Sequence, residues 1–173
     1  MPTPGGVEAL LEYDPARQMK AAYRVPVRLA FTWTEAKIDG SATSDDAESI
    51  FAGARDGNRI PYIPEFQFRG SIGFEVGGFT SVVALNWTDS VFTSASNSSE
   101  NINPITGKAD ARFGKLDSFT TVDVGLGYQV NEVVRLFGFA NNVFDEEYAT
   151  SRLPHGLRPG APRSVGAGVE ILW

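Results

Sequence analysis

The chain has 173 residues, enough for one domain or a piece of a larger one, with 15 Lys and Arg against 21 Asp and Glu for a net charge of −6. That acidic balance argues against nucleic acid as a partner, and the lack of cysteine and the single histidine, His155, exclude disulfides, thiolate zinc sites and histidine-rich metal clusters. The longest apolar run, Val82-Val83-Ala84-Leu85, falls far short of the roughly 20 residues a membrane-crossing helix needs, and Met1-Pro2-Thr3-Pro4 lacks the features of a signal peptide.

Period-two alternation recurs along the whole chain, while helical spacing is weak throughout. Gly6 to Tyr13 sets Val7, Ala9, Leu11 and Tyr13 against Glu8 and Glu12. From Val25 the odd positions read Val25, Val27, Leu29, Phe31 and Trp33, with Arg28, Thr32 and Thr34 between them. Phe66 to Val76 alternates Phe66, Phe68, Ile72, Phe74 and Val76 with Gln67, Arg69, Ser71 and Glu75. Phe79, Val83, Leu85 and Trp87 oppose Thr80, Asn86 and Thr88, and Val122, Val124, Leu126 and Tyr128 oppose Thr121, Asp123, Gly125 and Gly127. Val133 to Tyr148 begins as a strand whose facing Leu136, Phe137 and Phe139 leave undecided. The last strand carries Val165, Ala167, Val169, Ile171 and Trp173 against Ser164, Gly166, Gly168 and Glu170. The count is seven strands, mostly antiparallel neighbours, and the fold class is all-β.

The connections are of two kinds. Gly77-Gly78 and Asn131-Glu132 suit tight two-residue hairpins, because Gly and Asn tolerate positive φ, and Asp14 to Arg24 is a longer turn at the same end. At the other end lie long polar loops, about Lys37–Ile63, Thr93–Lys115 and Ala149–Pro162. Short turns at one end and long loops at the other are the asymmetry of an outer-membrane barrel. Aromatics sort accordingly on the apolar face. Tyr13, Phe79, Tyr128 and Trp173 fall near the short turns, and Trp33, Phe66, Phe68 and Trp87 near the long loops. Two girdles around an aliphatic band suit a lipid-facing sheet. Arg28, Arg69, Glu75, Asp123 and Glu170 then line a wet lumen. On this assignment an arginine at Leu85 is costly and one at Asn86 mild. A soluble β-sandwich is the alternative for such strands, and a complete barrel of about eight strands with a structural or adhesion role is another.

Two segments carry a family resemblance. Phe139-Ala140-Asn141-Asn142-Val143-Phe144-Asp145-Glu146-Glu147-Tyr148 resembles the "N-L-F-D-x-x-Y" element of TonB-dependent receptors, with Val143 in place of leucine. Arg59-Ile60-Pro61-Tyr62-Ile63-Pro64-Glu65 resembles their "R-x-P-Y-x-P-E" approach to a strand. Within the family the spacing is similar to that of ferric citrate-type receptors. The resemblance implies an outer-membrane location in a Gram-negative bacterium and a parent barrel of about 22 strands. It also implies import of a ferric chelate such as a siderophore or iron citrate, with energy supplied by TonB through a plug domain. Residues 1–173 then correspond to the C-terminal part of the barrel, with plug and remaining strands absent, and the implied activity is transport rather than catalysis.

No catalytic constellation or resident cofactor emerges. Asp45, Asp46 and Glu48 read as a solvated acidic loop, and Asp145, Glu146 and Glu147 as capping groups beside the strand-end motif. Arg55 and Arg59 in the first loop, with Arg152, His155 and Arg158 in the last, are the candidates for an anionic chelate, because guanidinium forks match carboxylates. Lipopolysaccharide phosphates are a second destination for such loops. The resemblance makes Val165, Ala167, Val169, Ile171 and Trp173 the signal read by the outer-membrane assembly machinery. The remaining partners are outer-membrane lipid and, through the plug, TonB.

Overall fold

The computed structural model describes residues 5–40 and 44–171. Its elements are β1 (Gly5–Tyr13), a one-turn helix α1 (Pro15–Gln18), β2 (Tyr23–Arg24), β3 (Val27–Glu35), β4 (Phe66–Val76), β5 (Phe79–Thr88), β6 (Val91–Phe92), β7 (Lys115–Leu116), β8 (Phe119–Gln129), β9 (Val134–Asn141), β10 (Ala149–Ser151), β11 (Arg158–Pro159) and β12 (Ser164–Ile171). Seven long strands form one antiparallel sheet in the order β1-β3-β4-β5-β8-β9-β12, and β2 joins it beside β4. Spatial order is chain order, so every long strand follows its neighbour up and down. Among the described residues β1 pairs only with β3 and β12 only with β9, and the sheet is open. Neither the closed small barrel nor the two-sheet sandwich is formed; the sheet is a segment of barrel wall.

Register holds the alternation together across six strands. Val27, Ile72, Val83, Val124, Ala140 and Val165 lie in one row of direct partners, and Leu29, Gly70, Leu85 and Val122 in the next. The opposite face carries Arg69, Asn86 and Thr121 in one row, and Ser71, Ala84 and Asp123 in another. A slip of one residue in any pair would put apolar side chains among these polar groups, so the two unlike faces pin the register. The apolar face stays uncovered: Ile72 is 52% exposed, Val169 61% and Val165 76%.

β9 takes its facing from its neighbours. Leu136 lies opposite Tyr128 and Val169 on the apolar face, which turns Phe137 and Phe139 to the polar one. There the two rings lie over glycines of β12. A Cβ on Gly166 would sit 2.5 Å from the Phe139 Cζ, and one on Gly168 would sit 2.5 Å from the Phe137 Cζ. The strand stops at Asn141, short of the expected Tyr148, because Asn142 and Asp145 adopt φ of 48° and 57°, which no strand continues through.

The short-turn end differs from expectation in two places. Residues 130–133 are not a two-residue turn: the Asn131 Oδ1 accepts the amides of Val133 and Val134, both at 2.9 Å, in an Asx turn. Pro26, which has no N–H, separates β2 from β3, and Gly73 faces it because a Cβ there would lie 2.9 Å from the Pro26 Cγ. Gly77 does turn the tight hairpin, with φ 55°. Asp14 caps α1 and organises the longer turn, accepting from the amides of Arg17 (3.3 Å) and Val25 (3.1 Å) and from the Arg24 Nε (3.0 Å). Burial pushes its carboxyl up, but these bonds outweigh that and hold it below the usual carboxylate value.

Among the described residues the buried apolar side chains are not in the seven-stranded sheet. Ala36, Ile38, Ala52, Ala54, Ala95, Phe113 and Leu116 all belong to the long-loop end, and Ala16 belongs to α1.

Candidate functional site

Three loops stand on the sheet at one end: L1 (36–65, described except for 41–43), L2 (89–118) and L3 (142–163). β6 and β7 resume the register of β5 and β8 past a break at 89–90 and 117–118, so L2 rises as a continuation of its hairpin. L1 and L2 fold against each other around Ile38, Ala54, Ala95 and Ile60. The Ala95 amide donates to the Ile50 carbonyl (2.7 Å), and the Asn58 Nδ2 to the Ala95 carbonyl (2.8 Å). Asn97, at φ 53°, clasps the backbone of Arg59 from both sides: its Oδ1 accepts the amide at 2.6 Å and its Nδ2 donates to the carbonyl at 2.9 Å. Asn103 is buried and donates to the Ala47 carbonyl (2.7 Å). Arg112 clasps Asp110 (Nη2 to Oδ2, 2.7 Å) and reaches Glu48 across the loops (3.5 Å). The Arg112 hydrogen bonds hold the Asp110 carboxyl at about 2, against the upward pull of its desolvation.

The first motif closes on itself. Arg59 Nη2 meets the Glu65 Oε2 at 2.5 Å and lies 3.7 Å from Asp89, so the motif's first and last residues form one ion pair at the foot of L1. Tyr62, at φ 61°, donates its amide to the Phe92 carbonyl of L2 (3.0 Å) and accepts the Arg152 amide of L3 on its hydroxyl (3.3 Å).

The second motif ties the foot of L3 to the wall. Buried Asn142 donates its amide to the Asp123 Oδ1 (2.9 Å) and its Nδ2 to the carbonyls of Glu146 and Ala161, both at 3.0 Å, while its Oδ1 accepts the Glu146 amide (2.9 Å). Asp123 also accepts from the Asn86 Nδ2 (3.1 Å), whose Oδ1 accepts the Arg69 Nε (2.7 Å). A polar ladder thus runs from β4 to the foot of L3. Asp145 accepts the Arg163 amide (3.0 Å) and pairs with its guanidinium (3.4 Å), a capping role. Tyr148 stacks on Phe119 with ring centroids 4.0 Å apart, and Gly160 passes over its ring where any Cβ would overlap it.

Between L3 and the foot of the L2 stem lies a half-open cleft of about 860 Å³. Lys115, Asp117, Glu146, Glu147, Tyr148 and Arg152 line it among other residues, so its wall carries both charges. Arg152 reaches the carbonyls of Ala111 (Nη1, 3.2 Å) and Lys115 (Nη2, 3.4 Å), while its buried Nε has no partner. The structure therefore separates the five cationic candidates. Arg59 and Arg152 are engaged in loop packing, whereas the side chains of Arg55, His155 and Arg158 are exposed. Asp46 accepts the Glu48 amide in a local turn (2.9 Å), and no group of His, Asp and Glu able to hold a metal ion occurs among the described residues. The clasping roles of Asn97, Asn103 and Asn142 are not legible in the sequence, although Asn142 belongs to the second motif. Asparagine in a loop reads as a solvated side chain, and only backbone groups brought close by folding make these three clasps, two of them buried.

At the long-loop end the register pairs Trp33 with Phe66 and Phe68 with Trp87, and at the short-turn end Phe79 with Tyr128. Tyr13 lies opposite Val27 at that same end, and Trp173 lies outside the described residues. Of the row expected as an assembly signal, Val165, Ala167, Val169 and Ile171 share the apolar face of β12.

A family model described as "TonB dependent receptor-like, beta-barrel" matches residues 6–143. Among solved structures, the chain is similar to the ferric citrate transporter FecA in its unliganded form, at 18% identity and TM-score 0.76 over 98% of this chain and 24% of that one. It is similar to the siderophore receptor PiuA from Acinetobacter baumannii, at 17% identity and TM-score 0.67 over 97% and 21%. The copper transporter OprC also matches, at 17% identity and TM-score 0.59 over 97% and 23%. The chain spans about a quarter of the length of these structures. No curated protein sequence matches it. The chain belongs to the TonB-dependent receptor β-barrel family, whose place is the outer membrane of Gram-negative bacteria.

Proposed function

We propose that the chain forms wall and outer loops of a receptor that imports ferric chelates, siderophore or iron citrate, with energy supplied by TonB acting on a plug. The observation that carries this reading is where the packing lies. Among the described residues almost all buried apolar side chains order the loops at one end, while the sheet keeps one face apolar and uncovered. Loop order of that kind serves capture of something arriving from outside, and long loops are extracellular in outer-membrane barrels. Two of the matched structures carry ferric citrate or a siderophore in their names and a third carries copper, so the fold alone does not select the cargo.

In this reading Tyr13, Phe79 and Tyr128, with Trp173, sit at the periplasmic headgroup level, and Trp33, Phe66, Phe68 and Trp87 at the outer one. Val165, Ala167, Val169, Ile171 and Trp173 present the strand read by the assembly machinery. Arg55, His155 and Arg158 are the groups free to meet an anionic chelate or a lipopolysaccharide phosphate, while Arg59 and Arg152 hold the loops that present them. The test is uptake of radioactive iron as citrate and as siderophore complexes, and of copper, by a receptor-deficient Gram-negative strain expressing the receptor that contains this chain. Uptake of an iron complex that disappears when TonB is deleted supports the proposal. Binding without TonB-dependent uptake of iron, or uptake of copper alone, overturns it.

A further inference from the structure

The three loops are not joined alike. L1 and L2 share an apolar cluster, the double clasp of Asn97 on Arg59, and bonds from Ala95, Asn58 and Asn103. L3 has nothing comparable. Among the described residues, its hydrogen bonds to the other two loops all come from Arg152: the amide to the Tyr62 hydroxyl (3.3 Å), Nη1 to the Ala111 carbonyl (3.2 Å) and Nη2 to the Lys115 carbonyl (3.4 Å). These are long bonds to neutral oxygens, and the Nε lies buried without an acceptor. A guanidinium bonded to a carboxylate would hold at about 2.7–2.9 Å and roughly twice as strongly.

We propose that L3 is a flap hinged at its foot and latched by Arg152 alone, with L1 and L2 as its fixed frame. The hinge is the Asn142 clasp, whose bonds anchor the start of the loop to Asp123 and to the Ala161 carbonyl at its end. Between foot and latch the loop spans the cleft of about 860 Å³, so lifting L3 uncovers that space. Gly114 turns the chain beside the latch. It adopts φ 121°, and a Cβ there would lie 2.5 Å from the Asn101 Oδ1 while only touching the Arg152 Cζ at 3.6 Å, so the glycine is needed for the turn. The latch is weak by construction: two long guanidinium bonds, one long backbone bond and an unpaired buried donor, and Arg152→Ala removes the first two.

The test is amide hydrogen exchange, read by mass spectrometry, on the receptor containing this chain in outer-membrane fragments. The readout does not depend on iron uptake, so it stands apart from the proposed cargo. In Arg152→Ala, peptides within 149–158 should exchange at least tenfold faster, with those from L1 and L2 within twofold of the parent. Tyr62→Phe removes one of the three bonds and should give a smaller rise confined to L3; it covers the case in which Arg152→Ala does not assemble. Asn97→Ala should do the reverse, loosening L1 and L2 and leaving L3 unchanged. Unchanged exchange in L3 on loss of Arg152, or an equal rise across all three loops, overturns the proposal.

Discussion

Asn142 and Gly160 show how single positions hold the long-loop end. Asn142 satisfies three backbone groups with one side chain at a backbone angle asparagine tolerates. Gly160 is required for a different reason. Its amide donates to the Tyr148 carbonyl at 2.7 Å, which draws its backbone across a ring already stacked on Phe119. Gly160→Ala therefore forces the ring or the loop to move and should cost about 1–3 kcal/mol. Gly138→Ala adds a methyl whose nearest neighbour, the Gly166 carbonyl, lies 3.6 Å away, and should fall within about 0.5 kcal/mol of the parent. Urea unfolding in micelles, followed by tryptophan fluorescence, checks the pair; equal effects would show that the Tyr148 contact does not constrain Gly160.

Strands and loops obey different rules in this chain. A strand needs only alternation and a partner with the same two faces, so β4, β5 and β8 run together without any buried side chain on their apolar side. That side is made for lipid, and Leu85→Arg near mid-wall should cost about 2–4 kcal/mol. Asn86 is not the neutral control that alternation suggests, because it bridges Arg69 and Asp123 in the polar ladder. Ala84 is the better one: it faces the same side opposite Ser71 and Asp123, and an arginine there gains a carboxylate partner. Ala84→Arg should cost less than about 1 kcal/mol, a partly exposed ion pair being worth little. Heat-modifiable mobility and unfolding in lipid would measure both, and a more damaging Ala84→Arg would reverse the assignment of faces.

For the molecule as a whole, the open sheet sets the behaviour of the 173-residue chain taken alone. Among the described residues β1 and β12 each leave one edge unpaired, and the apolar face is uncovered from Val7 to Ile171. Lipid cannot satisfy edge amides and carbonyls, at several kcal/mol per group, and water does not tolerate an apolar surface of this extent. Edge pairing with another copy is the expected relief. Sedimentation velocity without detergent should show large, heterogeneous species. A sharp monomer boundary with cooperative unfolding would contradict the barrel-wall reading.

Alternation by itself determined the seven strands and the two faces of six of them, and connection lengths their neighbours, because a strand's facing is local and a side chain two residues on must share it. The two motifs likewise announced the feet of L1 and L3. What alternation could not settle was β9, where Phe137 and Phe139 look like lipid-facing residues. Only the pairing of Leu136 with Tyr128 and Val169 turns them inward onto glycines. Nor could composition separate the four loop arginines and His155, since all five read as surface charge. Folding brought Glu65 and Asp89 to Arg59, and the carbonyls of Ala111 and Lys115 to Arg152, leaving Arg55, His155 and Arg158 exposed. Strand periodicity is written over neighbouring residues, whereas partners that join one loop to another, such as Asn58 with Ala95 and Arg152 with Tyr62, lie 37 and 90 positions apart and meet only once the wall has set their spacing.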